Sequence, residues 1–376
     1  MKRKERVQMS NKKIEVKESP LMNNLKSLAF PLLSILISIF VAVFFVIWAK
    51  PEFSLLDYPK AFVDLFENIW KGAFGNKKKV LDTLIYVTPL LFTGVAHSLA
   101  FRTGLFNIGV EGQFVLGMTG AALVGMIPGL PWIIHIPLMI LAGIVFGGLW
   151  AAIPGYLKAK IGANEVVNTI MMNYIGLYVI NFIVLRTAFG IPNAAKTYNI
   201  QASAQMAKID AVLSRGSWAI LIAVIFAVLA YILLWKTTIG YELRAVGINP
   251  HASEYGGINI AKNTVLSMVL SGAVAGIGGA MHVAGTTMNV TDMVNSPGYG
   301  FEGIAVALLA KNNPIACIAS AILFGALRAS SRTLQINGIP KEIISLIQAI
   351  IIIFVAVDFV NRWLGKRKKK GAIVNG

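Results

Sequence analysis

The sequence has little charge and almost no cysteine. Only 14% of its 376 residues are charged, with 17 acidic residues against 34 lysines and arginines. The one cysteine, Cys317, lies in an apolar run, which excludes an intrachain disulfide framework and a cysteine metal site. The histidines show no metal-ligand spacing. We therefore predict no metal site and no cofactor.

Signatures of catalysis are also missing. The pattern Gly-x-x-x-x-Gly-Lys-Ser/Thr is absent, and Gly72-Ala-Phe-Gly75 followed by lysines does not match it. If ATP drives this protein, another chain must bind the ATP. No set of nucleophile and base is recognisable, so we assign no catalytic residue and disfavour a membrane-embedded enzyme.

The sequence consists largely of long apolar segments. Hydrophobic residues make up 56% of the chain, and the mean hydropathy is +0.69. This composition predicts an all-α, polytopic membrane protein. A net charge of +17 is explained better by basic loops beside membrane spans than by nucleic-acid binding. About ten candidate spans lie at residues 28–48, 81–101, 108–127, 133–157, 166–186, 217–236, 264–285, 300–311, 314–331 and 342–363.

The spans define the domain organisation. We predict a basic cytoplasmic tail at residues 1–27, a transmembrane domain at 28–363 and a second basic cytoplasmic tail at 364–376. Ten spans with basic loops on one side place both termini in the cytoplasm of a multi-pass cell-membrane protein. Lys77 to Lys79 contradict this, so either the rule is overridden there or residues 50–80, an expected interfacial amphipathic helix, are re-entrant. Arg186 to Gly216 is the largest external excursion, either a partner contact or a plain loop.

The two halves, about 28–186 and 217–363, echo each other. The matching motifs are Thr93-Gly94 with Ser271-Gly272, Phe146-Gly-Gly-Leu149 with Phe324-Gly-Ala-Leu327, Glu165 and Ile170 with Glu342 and Ile347, and Gly109-Val-Glu-Gly112 with Gly300-Phe-Glu-Gly303. Five spans separate corresponding helices, which is an odd number. The halves should therefore cross the membrane in opposite senses, as inverted repeats do in transporters.

Polar residues interrupt the spans at two paired breaks and beside a third helix. Such groups are costly in lipid and are expected to face a cavity or one another. Aromatic rings with a few hydrogen-bonding groups suit a solute such as a nucleoside. The predicted substrate pathway consists of Phe106, Asn107, Glu111, Gln113, Asn168, Asn173, Tyr299, Phe301 and Glu302. Alternatively, Glu111 and Glu302 are structural, capping the broken helices or pairing with Arg102.

A polar insert from Gly240 to Lys262 separates two apolar runs. Asn249 can cap a short helix, Pro250 suits its first turn and Gly256 can supply the left-handed residue that ends it. The insert is either a docking element between spans or an ordinary loop. As a docking element it would contact a partner through Glu242, Arg244, Asn249, Pro250, His251 and Glu254.

Four motifs carry a family resemblance. They are Thr88-Pro-Leu-Leu-Phe-Thr-Gly94, Phe101-Arg-Thr-Gly-Leu-Phe-Asn-Ile-Gly-Val-Glu-Gly-Gln113, Gly162-Ala-Asn-Glu-Val-Val-Asn-Thr-Ile-Met-Met-Asn-Tyr174 and Gly240-Tyr-Glu-Leu-Arg-Ala-Val-Gly-Ile-Asn-Pro250. They resemble the permease subunits of bacterial ABC importers, in the branch that includes ribose, galactose and branched-chain amino acid permeases. The resemblance covers about residues 80–360 and is strongest to nucleoside-uptake members of the guanosine or purine nucleoside type.

The resemblance implies a function and its partners. Such permeases are transport subunits that pair with a second, identical or related permease, and each docks a cytoplasmic ATPase subunit. An extracellular substrate-binding lipoprotein delivers the solute, and the segment similar to Gly240–Asn259 couples to the ATPase. The expected solute is a nucleoside, with a simple sugar or a branched-chain amino acid as alternatives. An ion-coupled secondary transporter is the competing class.

Overall fold

The computed structural model describes residues 36–48 and 55–354, and its regular elements there are helices. Isolated bridges are the only strand-like pairings within these residues, so the predicted all-α class is confirmed for them. The predicted tails, 1–27 and 364–376, lie outside the described residues. The helices are α1 (Leu36–Trp48), α2 (Tyr58–Phe74), α3 (Lys77–Arg102), α4 (Val110–Gly125), α5 (Trp132–Ile161), α6 (Glu165–Arg186), α7 (Ala219–Lys236), α8 (Thr238–Ile248), α9 (Pro250–Tyr255), α10 (Ile260–His282), α11 (Tyr299–Leu309), α12 (Ala316–Ile336) and α13 (Glu342–Phe354).

Five helices of the described ranges are long and apolar enough to cross a membrane. They are α3, α5, α6, α7 and α10 with the π-helical turn that follows it. This pattern makes the chain a multi-pass membrane protein. The predicted spans at 108–127 and 300–311 form shorter helices, α4 and α11, of 16 and 11 residues. Each begins at a glycine-containing break, which is why it is shorter than a full span.

At the polar insert, the helices begin at side chains whose oxygens accept a hydrogen bond from a backbone N–H group of the first turn. The oxygen of Asn249 accepts from Ala252 N at 3.2 Å and starts α9, as predicted. Thr237 and Asn259 do the same for α8 and α10. The predicted end of α9 was wrong in one detail: Gly256 has a φ of −79°, and the left-handed residue is Gly257, with a φ of 80°. The helix itself still ends at Tyr255, and only the left-handed residue lies one position further along the chain.

Helix α10 forms the centre of the bundle and packs against α3, α4 and α5. The contacts with α4 and α5 are made by backbone atoms, because glycines face each other where the helices cross. A Cβ on Gly276 would lie 2.0 Å from the carbonyl oxygen of Gly143, and one on Gly117 would lie 2.3 Å from Gly276 Cα. Small residues at such crossings are typical of helix packing in membranes, where close van der Waals contact drives association.

The segment between α6 and α7 is fastened to the first turns of α3. The ammonium of Lys77 lies 2.8 Å from a carboxylate oxygen of Asp210, and Ser214 donates a hydrogen bond to Asp82. Lys77 therefore lies at the same end of the bundle as the predicted external excursion. At the opposite end, Lys158 and Glu254 line a pocket of about 570 Å³ beside α9 and the start of α10.

We expect the contact between Lys77 and Asp210 to be lost in acid. The hydrogen bond from Lys77, with backbone donors at Leu213 and Val212, holds the pKa of the Asp210 carboxyl below its usual range. Such a carboxyl stabilises the fold above the ordinary aspartate pKa of about 3.9 and stops doing so as the pH falls through the lower, folded value. The melting temperature of the wild type in detergent should exceed that of Asp210→Asn near neutral pH, and the difference should vanish in acid. A difference in melting temperature that persists after the Asp210 carboxyl is protonated would contradict the role of this contact.

Candidate functional site

Two short helices meet at their N-termini in the centre of the protein. The carboxylate of Glu111, in the first turn of α4, accepts hydrogen bonds from Gly298 N at 2.7 Å and from Gly300 N, at the start of α11. The approach requires glycine at position 300, since a Cβ there would lie 2.4 Å from Glu111 N. Both N-termini carry positive partial charge, and the carboxylate lies where it compensates for both.

The two helices run from this junction to opposite ends of the bundle. The last residue of α4, Gly125, accepts a backbone bond from Gln201 in the segment between α6 and α7. The turn after α11 bonds to Arg102, beside α8. The junction therefore lies between the end of the bundle that contains Lys77 and the opposite end, which contains α8 and α9.

The second carboxylate of the junction, Glu302, pairs with an arginine that the sequence analysis missed. Arg328 of α12 lies 3.1 Å from Glu302 Oε1, donates to Pro297 O at 2.7 Å and stands 4.2 Å from the centre of the Tyr299 ring. The expected alternative pairing with Arg102 was wrong. The missed signal was a charged residue inside the predicted span 314–331, because such a residue requires a partner.

The loop between α3 and α4 is held by side chains from two other helices. Asn107 is fully buried and bonds to Gln113 at 3.0 Å and to Ser271 of α10 at 2.9 Å. Asn173 of α6 accepts from Gly112 N at 2.8 Å and donates to Ile108 O at 3.0 Å. These amides satisfy backbone and side-chain groups that the break would otherwise leave without partners.

Other residues of the predicted pathway are exposed or incompletely bonded. Phe106 is 39% exposed and Phe301 is 45% exposed, whereas Tyr299 is buried beside His282 and Phe114. The side-chain nitrogen of Asn168 and Oε2 of Glu302 have no hydrogen-bond partner among the described residues. The predicted set thus divides into residues whose side chains are bonded or buried within the protein, and residues that either expose an aromatic ring or contain a buried polar atom without a hydrogen-bond partner.

The predicted coupling residues divide in the same way. Glu242 accepts from Asn263 of α10 at 2.9 Å, and Arg244 lies over the Trp235 ring, so both contact the protein itself. Pro250, His251 and Glu254 of α9 are exposed. Two large apolar side chains flank this surface: Ile248, the last residue of α8, is 85% exposed, and Tyr255, the last residue of α9, is 95% exposed. An exposed apolar tip with charge beside it is typical of a protein contact.

Comparison with known proteins identifies relatives over most of the chain. The family described as the permease component of branched-chain amino acid transport systems matches residues 79–356. The chain is 41% identical to the guanosine ABC transporter permease protein of Bacillus subtilis, with 82% of this chain and 89% of that protein aligned. It is 36% identical to a nucleoside ABC transporter permease protein of Lactococcus lactis, over 78% of this chain and 84% of that protein. A glucose ABC transporter permease protein of Haloferax volcanii is 28% identical over 80% of this chain and 82% of that protein. No solved structure matches.

Proposed function

The chain belongs to the family of permease components of branched-chain amino acid transport systems, and on this premise we propose that it is the membrane subunit of an ATP-driven nucleoside importer. The observation that carries the solute class is the identity of 41% and 36% to permeases named for guanosine and nucleosides, against 28% for one named for glucose. The chain is a transport subunit, and ATP hydrolysis belongs to a separate chain.

In this proposal, the ATPase subunit acts on the permease through α8 and α9. Exposed Tyr255, His251 and Glu254 form a surface that suits insertion into a cleft of an ATPase subunit. Internal bonds of Glu242 and Arg244 then hold that surface to the membrane helices. The remaining proposed partners are a second permease chain, identical or related, and an extracellular binding protein that contacts the end where Lys77 meets Asp210.

We place both termini in the cytoplasm and propose ten spans in two inverted repeats. Support comes from helix pairs that correspond under the repeat. Helix α3 packs against α11 and α12, and its counterpart α10 packs against α4 and α5, the counterparts of α11 and α12. The meeting of α4 and α11 at their N-termini also fits discontinuous helices related by such a repeat. The permease domain would then extend over residues 28–363, with a basic tail on either side of it.

We propose that the residues of the solute pathway have two different roles. Phe106 and Phe301 contact the nucleoside with their exposed ring faces, and Asn168 and Glu302 contact it when the pathway opens, since each has a buried polar atom without a hydrogen-bond partner among the described residues. Asn107, Glu111, Gln113, Asn173 and Tyr299 are bonded or buried within the protein and hold the breaks in shape.

The test is uptake by the complete importer in proteoliposomes. We expect radiolabelled guanosine to accumulate only with ATP and the loaded binding protein, and unlabelled nucleosides to compete better than glucose or leucine. Preferred uptake of glucose would replace the nucleoside by a sugar. Uptake that persists without ATP and collapses with an ion gradient would indicate a secondary transporter instead.

A charge reversal tests the docking surface. Glu254→Arg should lower ATP-driven uptake by about tenfold, a typical coupling effect, because the exposed carboxylate of α9 no longer matches the ATPase. Glu67→Arg is the matched control: Glu67 is an exposed glutamate of α2 that pairs with Lys71 one helical turn away. Equal uptake in the two variants, at equal amounts of inserted protein, would remove α9 from the contact.

A further inference from the structure

One arginine joins three parts of the chain at the end of the bundle that carries α8. Arg102 is the last residue of α3. Its Nε donates to Asn312 O at 2.8 Å and its Nη2 donates to Lys311 O at 2.9 Å. These two carbonyls belong to the turn between α11 and α12, so the guanidinium fork binds the end of α11 in a geometry that a lysine cannot reproduce.

The turn that Arg102 binds has an unfavourable backbone conformation. Lys311 has a φ of 52° and Asn312 a φ of 56°, and both are left-handed without being glycine. Consecutive left-handed residues cost free energy and persist only where surrounding contacts impose them. Arg102 provides two of those contacts, and we expect the turn to relax when they are lost.

The other side of Arg102 faces the α7–α8 connection. Its guanidinium carbon lies 5.0 Å from the centre of the Trp235 ring, and that of Arg244 in α8 lies 5.8 Å from the same centre. Helix α8 also contacts the end of α3 directly: a Cβ on Gly247 would lie 2.2 Å from Arg102 O. Movement of α8 therefore cannot leave Arg102 undisturbed.

Helix α11 connects this contact with the junction of the broken helices. Its 11 residues span roughly 16 Å at the helical rise. Its N-terminus is held by Glu111 and Arg328, and its C-terminal turn by Arg102. A short helix fixed at both ends shifts as a unit, so displacement of the turn reaches the junction with Glu111.

We propose that Arg102 is a positioning residue that transmits movement of α8 and α9 to α11 during transport. This proposal rests on the proposed function, because it assumes that an ATPase moves α8 and α9. It goes further in assigning the link between the ATPase contact and the broken helix to one guanidinium and the strained turn at Lys311 and Asn312.

The experiment compares Arg102→Gln and Arg102→Lys with wild type in proteoliposomes that contain the complete importer. We measure nucleoside transported per ATP hydrolysed, normalised to assembled complex. This ratio should fall by about tenfold in Arg102→Gln, with less loss in Arg102→Lys, which keeps the charge over Trp235 but loses the fork. The matched control is Arg332→Lys, at an exposed arginine of α12, and its ratio should equal that of wild type.

A second measurement does not depend on the solute. Trapping the ATPase in its ATP-bound state should change hydrogen exchange at residues 298–303 in wild type, and this change should disappear in Arg102→Gln. An unchanged ratio together with an unchanged exchange response would overturn the proposal. A loss of assembled complex with a normal response would assign Arg102 a structural role only. Absence of nucleoside uptake in wild type would instead count against the proposed function, while the exchange measurement still decides the role of Arg102.

Discussion

Glu111→Gln should lower both the thermal stability of the protein and its ATP-driven uptake, with uptake falling by at least about tenfold. The carboxylate is 1% exposed and accepts from two backbone donors, Gly298 N and Gly300 N. A glutamine turns one acceptor into a donor, which leaves a buried N–H without a partner at about 1–3 kcal/mol. Loss of the negative charge between two helix N-termini adds about 0.3–2 kcal/mol.

A glutamate at a comparable helical position provides the control for Glu111→Gln. Glu165 lies in the first turn of α6, as Glu111 does in α4, but its carboxylate pairs with Lys158 on a partly exposed surface at 2.8 Å. Glu165→Gln should cost about 0–1 kcal/mol. Melting temperature in detergent and uptake per assembled complex are the measurements. Equal losses in the two variants would show that burial between the helix ends is not what makes Glu111 important.

The fold class and the polar insert were predictable from local sequence. Apolar runs long enough to span a bilayer identify a membrane protein whatever their packing. The cap at Asn249 and the helix after it follow from short-range backbone chemistry. The misplaced left-handed glycine has the same local origin, because two adjacent glycines, Gly256 and Gly257, can each end the helix.

The pairing of charges at the junction was beyond sequence reasoning. The sequence argument offered Arg102 as a partner for Glu302, whereas the structure pairs Glu302 with Arg328 and Arg102 binds backbone carbonyls. Which partner meets which depends on how α3, α11 and α12 pack. Capping of a broken helix by Glu111 was one of the alternatives, but backbone groups leave no sequence signal, so the two donors, Gly298 N and Gly300 N, could not be derived. Long-range pairing therefore limits a prediction more than local structure does.

A single methyl group at Gly147 should have a large effect that the same change at Gly148 does not. A Cβ on Gly147 would lie 2.3 Å from the carbonyl oxygen of Gly272, a backbone atom of α10 that no side-chain rotation can move away. The helices must separate to admit it, and overpacking of this kind costs about 1–3 kcal/mol or more. At Gly148 the nearest atom, Val269 Cγ1, would lie at 3.5 Å, an ordinary contact.

The two neighbours therefore form an internally controlled pair. Both lie inside α5, so Gly→Ala brings the same gain of about 0.5–1 kcal/mol in helix propensity at each position. Gly147→Ala should be destabilised and Gly148→Ala neutral or stabilised, and because the propensity gain cancels, the gap in unfolding free energy should be about 1–3 kcal/mol or more. Unfolding of the purified chain in detergent measures this gap. The two variants share the same helix, neighbouring positions and the same substitution, so the expected difference in stability reports the backbone contact between α5 and α10. Two equal melting temperatures would mean that α5 and α10 are not in backbone contact.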